Sequence, residues 1–133
     1  MLGAEVVTVS RDTKFVHLAW QRDEKALAQV RYPMASDVTG DIARLFGVLD
    51  EEAGLALRGT FIISPEGTLL NAEVNYFNLG RSVEELLRKV RANKYLAAHP
   101  SEGVPAQWKK QGDITLKPGP KLVGKVADAM KKK

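Results

Sequence analysis

The chain has 133 residues, no cysteine and a net charge of +4. That length suits one small domain that buries a core without disulfides. No apolar run approaches the ~18 residues of a membrane span, and MLGAEVVTVSRD lacks the basic and apolar segments of a secretory signal, so the expected compartment is the cytoplasm. The charge is uneven: residues 109–133 hold eight lysines against two aspartates, while the remainder is slightly acidic. A lysine-rich end can meet an acidic surface. Here it has no arginine and only Trp108 as an aromatic neighbour, so a solvated tail is expected and nucleic acid is not expected as a partner.

AEVVTVS (Ala4–Ser10) is β-branched and apolar and predicts a buried strand. Asp12 or Thr13 is placed to cap a short amphipathic helix through KFVHLAWQ, where Phe15, Leu18 and Ala19 recur at helical spacing. Residues 23–30 predict another short helical piece. Pro33 then turns RYPMASD extended. Asp37-Val38-Thr39-Gly40 opens a helix over Asp41–Phe46, stopped by Gly47. DEEAG reads as a polar turn. GTFIIS, PEG and TLLNAEVNYF predict strand, tight turn and strand, that is, a hairpin.

SVEELLRKVRANKYLAA predicts a long helix capped by Ser82, with Glu85 completing a capping box and Val83, Leu86, Leu87 and Val90 forming an apolar stripe. Pro100 ends it. Beyond Ser101 the frequent Gly and Pro predict an extended arm, with a weak helical turn in VGKVADAMKKK. The domain reading is therefore 1–98 followed by an arm and tail over 99–133. The order β-α-(α)-α-β-β-α suits a sheet crossed by helices.

Several long blocks stand in one order: VTVSRDTKFVHLAW, YPMASDVTGDIARLFGVLDEEAGLALRGTFIISPEG, GRSVEELLRKVRANKYLAAHP and PAQW. Over about residues 3–126 they resemble the typical two-cysteine peroxiredoxins, the thiol-specific antioxidant family that includes the peroxidase subunit of bacterial alkyl hydroperoxide reductase. The resemblance implies a thioredoxin-like α/β fold of three layers, here truncated. The first core strand and the catalytic helix are missing, and the C-terminal arm is extended.

It also implies reduction of hydrogen peroxide and alkyl hydroperoxides, with electrons from a thioredoxin-like or flavoprotein disulfide reductase. In that chemistry a cysteine thiolate attacks the peroxide and becomes sulfenic acid, and a second cysteine on the arm resolves it as a disulfide. Neither sulfur is present. The Pro-x-x-x-Thr-x-x-Cys motif is missing, and the resolving position, aligned on Pro100 and Pro105, is Val104. The missing strand normally lies between those corresponding to Val6–Ser10 and Thr60–Ser64. Its loss leaves three outcomes: the two strands close on each other, a second chain supplies the strand, or the fragment is only marginally ordered.

Arg58 in GLALRGTFII matches the family arginine beside the attacking cysteine. A guanidinium there lowers a thiol's pKa and holds peroxide oxygens. From spacing alone, Arg58 is a surface arginine pairing with Glu51 or Glu52. Trp20 and Trp108 are expected to pack rather than react. His17 and His99 lack a second ligand at metal spacing, so no metal and no cofactor is expected. The resemblance implies a homodimer through the strand at residues 70–78. The expectation is a peroxiredoxin-family chain inactive alone. The alternative is a non-catalytic subunit that docks to a separate peroxiredoxin N-terminal segment or to a complete peroxiredoxin.

Overall fold

A computed structural model describes residues 2–131. Among the described residues six short strands and four α-helices follow in the order β-α-β-α-β-β-β-β-α-α, and the strands make three two-stranded sheets. By packing, the residues form two compact units. One comprises Gly3–Phe61 with Ala72–Arg81; the other comprises Ile62–Asn71 with Leu2 and the chain from Ser82 onward.

In the first unit, β1 (Thr8–Ser10) pairs in parallel with β2 (Met34–Ser36), in the register Val9 to Ala35. Parallel partners need a crossover, and α1 (Lys14–Asp23) supplies it. Thr13 is its N-cap, accepting the Val16 N–H. The expected buried strand from Ala4 is shorter, and it is not buried: Val6, Val7 and Val9 are exposed. The ladder stops where Pro33 faces it, because proline accepts from Thr8 N–H but has no N–H to return. The helical piece expected over 23–30 is one 3-10 turn, Lys25–Leu27, opened by the Glu24 carboxylate on Ala26 N–H.

α2 (Asp41–Leu45) begins after Gly40, whose φ of 78° is left-handed. A Cβ there would stand 3.0 Å from Arg11 Nη1. Asp37, three residues earlier, supplies the cap: its buried carboxylate accepts Ile42 N–H at 3.0 Å and Ala43 N–H at 2.8 Å. Burial works against that charge, but the Ala43 and Ile42 amides and the Arg11 guanidinium outweigh it and hold the carboxyl below its ordinary value. DEEAG is a turn, as expected. It joins two strands the sequence did not announce, β3 (Leu49–Asp50) and antiparallel β4 (Leu55–Ala56).

The hairpin is β5 (Arg58–Ile63) with β6 (Leu69–Asn75), closed by a turn in which Ser64 N–H donates to Thr68 O. A Cβ on Gly59 would stand 2.8 Å from the Phe61 ring and 3.0 Å from Val48, so this strand position admits only glycine without a shift. Among the described residues, β1 pairs only with β2 and β5 only with β6. Direct closure of β1 on β5, one of the three outcomes left open, is not what the chain adopts.

In the second unit, α3 (Val83–Ala98) is capped by Ser82, which accepts the Glu85 N–H at 3.2 Å. The capping box is only half built, because the Glu85 carboxylate turns to Arg88, at 2.6 and 2.8 Å. The expected stripe also faces differently: Val83 is exposed and Ala92 is the buried residue of the helix. The arm is extended but not free. Gly103 and Leu116 exchange both backbone bonds, 2.7 and 2.9 Å. A 3-10 turn (Pro120–Leu122) and α4 (Val126–Lys131) follow.

Candidate functional site

Arg58 opens β5 at the base of the hairpin. Its Nε–H donates to Phe77 O at 3.2 Å, just past the end of β6, and its side chain is exposed. The pairing with Glu51 or Glu52 expected from spacing does not form. Glu51 lies against Arg44 instead, at 2.9 and 3.3 Å, because α2 brings Arg44 to the turn after β3. That bond and the nearby Arg44 charge hold the Glu51 carboxyl below its usual value, against burial. A second guanidinium reaches the same rim: Arg81 Nη1 donates to Gly59 O at 3.0 Å. Local spacing gives no sign of Arg81, since 22 residues separate it from Gly59. Each arginine spends a donor on a backbone carbonyl that fixes its place, which leaves the rest of two guanidinium forks at one exposed strand end. Such a rim suits an anion or a thiolate.

Val104 lies on the arm, half-buried. With Pro105 and Ala106 it forms one wall of a shallow concavity of about 180 Å³, whose other walls include Ala92 and Leu96 of α3. Trp108, four residues on, is 3% exposed and rests against Tyr95 with ring centroids 5.4 Å apart. It packs, as expected. Trp20 does not: it is 55% exposed.

His17 is 7% exposed, and its Nε2 lies 2.6 Å from Ser10 Oγ, a juxtaposition that local spacing did not suggest. A serine beside a buried histidine resembles a nucleophile with its base, but the protons say otherwise. Ser10 has one hydroxyl hydrogen and gives it to Asp12 Oδ2 at 2.8 Å. His17 therefore donates Nε2–H to Ser10 and is no base toward it. The bond fastens α1 to β1. His99 donates Nδ1–H to Tyr95 O at 2.8 Å and closes the end of α3. Among the described residues there is no group of three His, Asp or Glu able to hold a metal.

The AhpC/TSA family model matches residues 1–72. Alkyl hydroperoxide reductase C of Staphylococcus haemolyticus is 47% identical over 125 residues, which are 94% of this chain and 66% of that protein. The chain belongs to the AhpC/TSA family. The Escherichia coli K12 alkyl hydroperoxide reductase C is 43% identical over the same shares. Among solved structures, Enterococcus faecalis AhpC matches with a TM-score of 0.74 at 43% identity, over 78% of this chain and 62% of that one. The reduced Plasmodium vivax 2-Cys peroxiredoxin matches with a TM-score of 0.83 at 28% identity, over 90% of this chain and 62% of that one. The fold is thus the α/β, thioredoxin-like fold of peroxiredoxins, and the chain spans 66% of the length of the alkyl hydroperoxide reductases it matches. No helix among the described residues is long and apolar enough to cross a membrane.

Proposed function

We propose that this is a peroxiredoxin-family chain that keeps the arginine rim of a peroxide site and does not turn peroxide over alone. One observation carries the reading: Arg58 stands at the hairpin base with donors to spare, while the 133 residues contain no cysteine. Reducing an O–O bond on this scaffold needs an ionised sulfur beside the guanidinium. In this reading residues 1–98 are a partial peroxiredoxin domain and 99–133 the arm and tail, with Val104 at the resolving position. The chain works in the cytoplasm, as a homodimer through the strand at residues 70–78. The test is consumption of hydrogen peroxide and cumene hydroperoxide with dithiothreitol or a disulfide reductase. The expected rate equals the protein-free control, and specific turnover abolished by Arg58→Ala overturns the reading.

A second reading is favoured by the exposed apolar side chains about β1 and α1: Val9, Phe15, Leu18 and Trp20. Single exposed apolar residues are ordinary, but a group of them marks a surface for another chain. Here the chain is a non-catalytic subunit that completes a separate peroxiredoxin N-terminal segment, or docks to a complete peroxiredoxin. Restored peroxidase activity on mixing with such a segment supports it; no binding by calorimetry rejects it.

A further inference from the structure

Glu102 is the hub of a small network in the arm unit. Its Oε2 accepts the Tyr95 phenol at 2.8 Å, from α3, and the Thr115 hydroxyl, from the returning limb of the arm, faces it as well. Gly103, next in the chain, pairs with Leu116, next to Thr115. The loop between them carries Trp108, buried against Tyr95, with its carbonyl accepting Arg88 Nη1 at 3.3 Å. His99 stacks on the other part of the same tyrosine, with centroids 4.1 Å apart. One carboxylate therefore joins helix, outgoing limb and returning limb. A carboxylate can do so because it offers several acceptor sites at once. The Trp108 indole N–H, by contrast, is buried with no protein partner, so this closure has little margin.

We propose that residues 102–116 form a non-covalent strap, closed onto α3 by the Glu102 carboxylate and opened when that charge is lost. The groups facing the carboxylate are the hydroxyls of Thr115 and Tyr95, with the charges of His99 and Lys117 beyond them. The bonds from Thr115 and then Tyr95 hold the Glu102 carboxyl below its ordinary range, while the same contact pushes the Tyr95 phenol up. The sign follows. A carboxyl lowered in the folded state adds closure above its ordinary unfolded value and loses it as pH falls through the folded value.

Amide hydrogen exchange on the full chain tests the idea. It compares the Gly103 and Leu116 amides with that of Ala92 inside α3. Glu102→Gln keeps the shape and removes the charge; it is expected to speed Gly103 and Leu116 about tenfold, with Ala92 unchanged. Thr115→Val, which removes one donor, is expected to give about threefold and carries the test if the glutamine variant does not fold. In the unmodified chain the ratio of strap to helix exchange rises only below the ordinary carboxylate range, and in Glu102→Gln it stays flat. Unchanged exchange at Gly103 and Leu116 in both variants, or a parallel rise at Ala92, overturns the proposal.

Discussion

The two tryptophans divide the molecule's regions by how they use apolar surface. Trp108 is 3% exposed, pinned between a tyrosine and the arm's own backbone. Trp20, on α1, is 55% exposed, and Phe15 beside it is 71% exposed. The α1 region is held by polar fastenings instead: His17 to Ser10, Ser36 to Asp12 O, Arg11 to Val38 O and Asp37 to the start of α2. The arm and α3 bury their largest ring, while the strand β1 and helix α1 present theirs outward. Hydrogen bonds fix geometry but yield only about 1 kcal/mol each, so a region built on them keeps its shape without hiding its apolar face. Such a face is suited to another surface.

The sharpest way to break this comparison is to truncate both rings. Trp108→Ala is expected to cost about 3–5 kcal/mol, the loss of a buried ring with the cavity it leaves. Trp20→Ala is expected to cost under about 1 kcal/mol, as a surface change does. Urea unfolding followed by far-UV circular dichroism reads both. Equal losses would mean that Trp20 is covered in solution, as by a second copy of the chain.

The sequence allowed one of these tryptophans to be placed and not the other, and the reason is physical. Elements set by short-range chemistry were legible: Thr13 and Ser82 as caps, Gly47 as a stop, and the PEG turn between β5 and β6. Burial is set by what lies across from a residue. HLAW on α1 and PAQW on the arm both put a tryptophan close behind an alanine, yet only the second meets a tyrosine. The fold was legible through the family resemblance. Arg58 was singled out by the same resemblance, but its hydrogen-bond partner was not legible. Spacing favoured Glu51 or Glu52, seven or six residues away, while the actual acceptor is Phe77 O, 19 residues away across the hairpin. Arg81 escaped for the same reason, 22 residues from its acceptor, whereas the Ser10–His17 and Tyr95–Glu102 contacts span only seven residues and escaped because the chain leaves one element and turns back between the partners.

A smaller effect sharpens the comparison at the helix caps. Thr13 and Ser82 each accept one amide, from Val16 and Glu85. Alanine at either cap is expected to cost about 1 kcal/mol. Where the loss shows should differ, because α3 shares Tyr95, Arg88 and Ala92 with the buried Trp108 cluster. With Trp20→Phe as background, Ser82→Ala is expected to lower the midpoint read by Trp108 fluorescence. Thr13→Ala should leave it nearly unmoved while helix signal is lost earlier. If both variants shift Trp108 alike, the two regions unfold as one cooperative body.

The smallest expected effect concerns Val104, where the resemblance asks for sulfur. Valine and cysteine are close in volume, and both are common in half-buried apolar places. The wall that Val104 forms with Pro105 and Ala106 needs only apolar bulk, because the arm's position is set by Glu102, the Gly103–Leu116 pairing and Trp108. Val104→Cys is therefore expected to change stability by less than about 1 kcal/mol. Its thiol should react slowly with iodoacetamide at neutral pH, and faster when Glu102→Gln is added. A cost above 2 kcal/mol would show that the valine methyls hold the arm, and the arm would then be a packing adapted to valine rather than a scaffold indifferent to which side chain fills that wall.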